Sequence, residues 1–126
     1  MTSGRPLALV CSGRPAVAAD IRRELEELGA EPIVVSSRDD WPVQSPGMVF
    51  IDLAEDGQPV REARLAFDAS TELMAIVDNE SVERLIPALA AGCGDYLFYP
   101  LNRDELGLKW RRHVAGEGGT RARRPG

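Results

Sequence analysis

Five short apolar runs, at residues 7–10, 33–35, 48–53, 73–77 and 96–98, recur along the chain with helical patterns between them. The runs are continuous, not alternating, which is the pattern of strands buried on both faces of a parallel sheet. After the first run, Pro15 suits a first helical turn, and Val17, Ile21, Leu25 and Leu28 fall on one face before Gly29, where a helix end favours a left-handed residue. Residues 81–92 bring Val82, Leu85, Ile86 and Leu89 together, with a bend expected at Pro87. Asn102 reads as an N-cap with Glu105 three residues on, ahead of Leu106, Trp110 and Val114. Repeated strand and helix predict right-handed crossovers and a doubly wound sheet whose sites collect beyond the carboxyl ends of the strands.

A chain of 126 residues, 44% hydrophobic, suffices for one core without a metal or disulfide staple. Cys11 and Cys93 stand far apart and His113 is the only histidine, so a zinc site is disfavoured and both thiols are expected to be reduced. The longest apolar run near the start is too short for a signal sequence or a membrane span, and a cytoplasmic location is expected. A formal charge of −5 argues against direct nucleic-acid binding. Residues 116–126, GEGGTRARRPG, read as a flexible Gly/Arg-rich tail or linker after a domain of residues 5–115.

The segment ALAAGCGDYLFYPLNRDEL resembles the end of a response-regulator receiver domain of the CheY-like family, and MVFIDLAEDG resembles that family's third strand. The resemblance implies a flavodoxin-like α/β fold: a five-stranded parallel sheet in the order 2-1-3-4-5 with helices on both faces. Here the second and third helices are shortened, because SSRDDWPVQSPG between the second and third strands holds two prolines and room for one turn, and residues 58–70 are short for their helix. By the same resemblance Asp52 maps to the phosphoacceptor, Tyr96 to the aromatic that signals its state, and Pro100 to a proline joined through a cis bond.

Several positions depart from the family's pattern. Cys11 and Ser12 stand where it has an acidic pair, Val77 where it has Ser or Thr, and Tyr99 where it has lysine. The chain's single lysine, Lys109, lies in the last helical pattern. Moving a phosphoryl group onto a carboxylate gathers negative charge, which needs a divalent cation and a fixed cation to hold it. With Asp52 as the one clear anionic ligand, the site is expected to be degenerate and short of positive charge. Asp78 and Asn79, beyond the same edge, are candidates to replace a lost ligand, with capping of the helix ahead of which Ser81 stands as the leading expectation.

The leading expectation is therefore a pseudo-receiver of two-component or phosphorelay signalling, acting through protein contacts, not an enzyme, and needing Mg2+ only if Asp52 is phosphorylated. Expected partners are a histidine kinase or an output domain, or a second copy through the face of the fourth helix, fifth strand and fifth helix, including Arg84, Tyr96, Arg103 and Arg111. Two other readings stay open: a working phosphoacceptor at Asp52, and a phosphoryl-carrier enzyme using Cys11. A loop of the low-molecular-weight tyrosine phosphatase type is excluded, since its C-x5-R pattern needs arginine where Val17 stands. Trp41 reads as a packed indole or an interface residue.

Overall fold

Each apolar run forms a strand: β1 (Leu7–Cys11), β2 (Glu31–Val35), β3 (Met48–Asp52), β4 (Glu72–Asp78) and β5 (Asp95–Tyr99). The computed structural model describes residues 5–53 and 58–115, so the tail expected at 116–126 lies outside the described residues. All strand pairs are parallel and the order is β2-β1-β3-β4-β5. This is the flavodoxin-like arrangement expected from the sequence.

Burial on both faces explains why the central strands are apolar at successive positions. On one face Val10, Phe50, Ile76 and Leu97 pack under Ile21 and Leu25 of α1 (Pro15–Glu27) and Leu106 and Trp110 of α4 (Arg103–Ala115). On the other, Leu9, Val49, Ile51, Ala75 and Val77 pack under α2 (Gln58–Ala66) and α3 (Leu85–Ala90). Burying Ile21 and Leu25 alone contributes about 1.5–3 kcal/mol each. Gly29 closes α1 with φ +89°, a left-handed conformation that an L side chain would strain. Among the described residues, no helix is long and apolar enough to cross a membrane.

The one turn expected between the second and third strands is what forms, and the fold departs from the sequence reading in α3 and α4. Residues 36–47 carry a single 3-10 turn, Arg38–Asp40, started by Ser37, whose Oγ accepts from Asp39 N–H at 3.2 Å. The helices expected fourth and fifth are therefore α3 and α4. The helix expected over residues 81–92 is split: Val82–Arg84 form a 3-10 turn and α3 begins only at Leu85, so Pro87 falls in its first turn, where backbone N–H groups lack helical partners anyway. The apolar stripe expected there is mostly outward: Leu85 is buried with Ala88, while Val82, Ile86 and Leu89 are exposed. Val114 is likewise exposed, leaving Leu106 and Trp110 to hold α4.

Candidate functional site

Side chains alternate along a strand, so every second residue shares a face. Val10, Phe50, Ile76 and Leu97 share the α1/α4 face, and two residues further on come Ser12, Asp52, Asp78 and Tyr99. β4 runs past β3: Asp52 lies beside Ile76, which puts Asp78 two positions beyond it on the same face. Asp52, the phosphoacceptor position by resemblance, thus has a second carboxylate as neighbour.

Between the two lies Arg14, the residue before Pro15 at the start of α1. Its Nε donates to Asp52 Oδ2 at 2.8 Å and its Nη2 to Asp52 Oδ1 at 2.7 Å, a two-pronged pairing. Nη1 and Nη2 also donate to Asp78 Oδ2 and Oδ1, both at 3.1 Å. The Ser12 hydroxyl donates to Asp52 Oδ2 at 2.8 Å and accepts from Arg14 N–H at 3.1 Å, fixing the backbone that carries the guanidinium. The Asp52 side chain is 2% exposed, against 35% for Arg14, so the guanidinium forms the lid of the carboxylate. The hydrogen bonds to Asp52 and then Asp78 push the Arg14 pKa up, holding it charged.

Tyr99, at the lysine position, supports this arrangement from below. The Arg14 guanidinium lies 5.9 Å from the centre of its ring, and its hydroxyl donates to Asp20 Oδ2 of α1 at 2.5 Å. That hydrogen bond lowers the Asp20 pKa and raises that of Tyr99. The Tyr99-Pro100 bond is cis, as expected by resemblance.

The expectation of a site short of positive charge is thus corrected. A cation is present, contributed by Arg14, a residue that maps to no charged position by the resemblance. Nor is Asp52 the single anion: the Asp78 carboxylate faces Arg14, and only its backbone C=O serves the following turn, accepting from Ser81 N–H at 2.9 Å. Strand parity was the available signal for Asp78. Arg14 had a weaker one, its place just before a proline-started helix.

Three sequence-predicted positions, Cys11, Val77 and Tyr96, lie away from this cluster. Cys11 and Val77 belong to the opposite face, where Val77 is fully buried and Cys11 packs near Trp41. Burial pushes the Cys11 thiol up to about 12 despite a hydrogen bond with the Trp41 side chain, which weighs against a nucleophile. Trp41 is half-buried against Phe67, ring centres 5.3 Å apart, so it is a packed indole. Tyr96 is half-buried at the other side of β5: its ring meets Phe98 edge-on, and Lys109 Nζ lies 4.9 Å from the ring centre while donating to the Tyr96 C=O at 2.6 Å. Arg103 departs from the contact face expected for it, pairing with Glu24 at 2.8 Å and Glu27 at 2.7 Å on α1. Arg111 lines the same groove between α1 and α4.

No protein-family model matches the chain, and no curated protein sequence matches it. Solved structures do. Full-length FixJ from B. japonicum superposes with a TM-score of 0.77 at 16% identity, covering 97% of this chain and 63% of FixJ. The receiver domain of a sensor histidine kinase from Pseudomonas aeruginosa, with a magnesium ion coordinated in its active-site cleft, gives 0.72 at 23% identity over 89% of this chain and 99% of that one. A CheY-like response regulator from Mesorhizobium loti gives 0.66 at 25% identity over 86% and 98%. The chain spans less than two thirds of FixJ and 29% of NtrX from Brucella abortus. The chain has the fold of response-regulator receiver domains.

A magnesium ion such as the one in the Pseudomonas aeruginosa receiver domain does not fit the described residues of this chain. It needs hard oxygen ligands in near-octahedral geometry. Both Asp52 oxygens are taken by Arg14, the Ser12 hydroxyl is spent on Asp52, and Cys11 turns to the other face. Among the described residues there is no group of three or more His, Cys, Asp or Glu side chains placed to hold a metal.

Proposed function

We propose that the chain is a pseudo-receiver of two-component or phosphorelay signalling, a binding module that acts through protein contacts without a Mg2+-dependent phosphoryl cycle. The observation that carries this reading is the Asp52 carboxylate: buried, with both oxygens held by three charged or hydroxyl donors. An oxygen in that position is neither free to attack a phosphoryl group nor open to a metal. The fold shared with receiver domains supports the signalling class.

The contact surface in this reading is the outer side of α3, β5 and α4, where Ile86 and Leu89 of α3 and Leu108 of α4 are exposed. Exposed apolar side chains rimmed by charge suit a protein partner. A histidine kinase, an output domain and a second copy are the partner classes in view, and a cytoplasmic location goes with them.

A phosphoacceptor at Asp52 is the second reading, and Arg14 also speaks for it, since a guanidinium can hold phosphoryl oxygens as it holds a carboxylate. Acetyl phosphate with Mg2+ separates the two. The binding-module reading predicts an unchanged intact mass and unchanged Trp41 and Trp110 fluorescence, also with beryllofluoride. A phosphoryl adduct lost in Asp52→Asn establishes the second reading instead.

A further inference from the structure

The disagreement between the fold's metal chemistry and the residues of this chain has a specific origin. We infer that Arg14 is a tethered cation plugging the gap between Asp52 and Asp78, so that the chain itself excludes a divalent ion from that place. The inference deepens the binding-module reading, because it names what holds the site closed.

Three features carry it. One guanidinium nitrogen, Nη2, serves both carboxylates, at 2.7 Å to Asp52 and 3.1 Å to Asp78, so Arg14 spans the gap and does not merely flank it. Its backbone is anchored on both sides, by the Ser12 hydroxyl and by Pro15 at the first position of α1. The tether keeps the guanidinium at a high effective concentration beside the carboxylates, which an ion from solution has to overcome. The Tyr99 ring lies beside the guanidinium, and its hydroxyl on Asp20 ties that ring to α1, the helix Arg14 precedes. With Arg14 removed, two carboxylates with one face in common are left without a counter-charge, an arrangement that either loses stability or takes up a cation.

The test measures melting temperature for the wild-type chain, Arg14→Gln, Arg14→Ala and Arg14→Gln/Asp78→Asn, each in millimolar MgCl2 and in NaCl of equal ionic strength. The expected result is a wild-type melting temperature indifferent to Mg2+. Arg14→Gln and Arg14→Ala should melt lower in NaCl by about 5–10 °C and regain part of that loss in Mg2+. The double variant should lose the Mg2+ response. If the single variants fold only with Mg2+ present, the inference holds in its strongest form. Single variants that ignore Mg2+, or stay unfolded in it, overturn the plug, as does a wild type that responds as they do. These outcomes are separable from the fate of the binding-module reading: a phosphorylated wild type sinks that reading whatever the variants do, and unresponsive variants sink the plug while leaving the wild type inert.

Discussion

At the scale of single residues, the site is governed by an asymmetry of exposure. Asp52 is almost wholly covered while Arg14 keeps about a third of its side chain in water. Removing the exposed partner strands a buried charge; removing the buried one leaves an arginine that water and Asp78 can still serve. Arg14→Ala should therefore cost about 3 kcal/mol and Asp52→Ala about 1 kcal/mol, although they break the same pair. Urea unfolding of the two variants checks the order, and equal losses would contradict it. Cys11 supplies a second test at this scale. With its thiol pushed up to about 12 by burial, it should react with iodoacetamide at neutral pH far more slowly in the folded chain than in urea.

Between elements, the Tyr99 hydroxyl on Asp20 ties the end of β5 to α1. The signs of its pH dependence follow from the two shifts. Asp20 is lowered from 3.8 by the hydrogen bond, so its contribution is present above that value and lost as pH falls through the folded pKa. Tyr99 is raised from 10.0, so its contribution is present below that value and lost as pH rises through the folded pKa. The stability difference between the wild type and Tyr99→Phe should accordingly be flat near neutrality and shrink toward both extremes, as melting curves across pH would record. At the start of α4, Asn102 Oδ1 accepts from Glu105 N–H at 3.0 Å, and Asn102→Ala should cost about 1 kcal/mol by denaturant melt. That cap was readable from Asn102 and Glu105 alone, because capping is local. The outward turn of Ile86 and Leu89 was not: helical periodicity marks which residues share a face, but Leu85 and Ala88 meet the sheet only because of where α3 begins.

For the molecule as a whole, the five continuous apolar runs carried the architecture, since only a sheet covered on both sides buries successive residues of Phe50-Ile51 and Ile76-Val77 in opposite layers. The candidate site was half legible. Asp52, Ser12 and Tyr99 were singled out by the resemblance, at strand ends that the fold brings to one edge, and parity along β4 held the signal for Asp78. Arg14 was hidden for a physical reason. Its role depends on a long side chain reaching back from a helix start across the sheet edge, a distance in space that no spacing in the sequence encodes. The site reads as poor in positive charge because Tyr99 stands at the position that maps to lysine by resemblance, while Arg14, following β1, brings the charge from the other side of β3.

The most direct measurement is the Nε–H resonance of Arg14 in a nitrogen-15 spectrum, assigned by its loss in Arg14→Lys. A guanidinium paired on both oxygens of Asp52 predicts a resolved, slowly exchanging signal that stays in place as Mg2+ is added and collapses toward the free-arginine position in Asp52→Asn. A signal already at the free-arginine position, or one that moves there as Mg2+ saturates the site, would contradict a cation built into the chain.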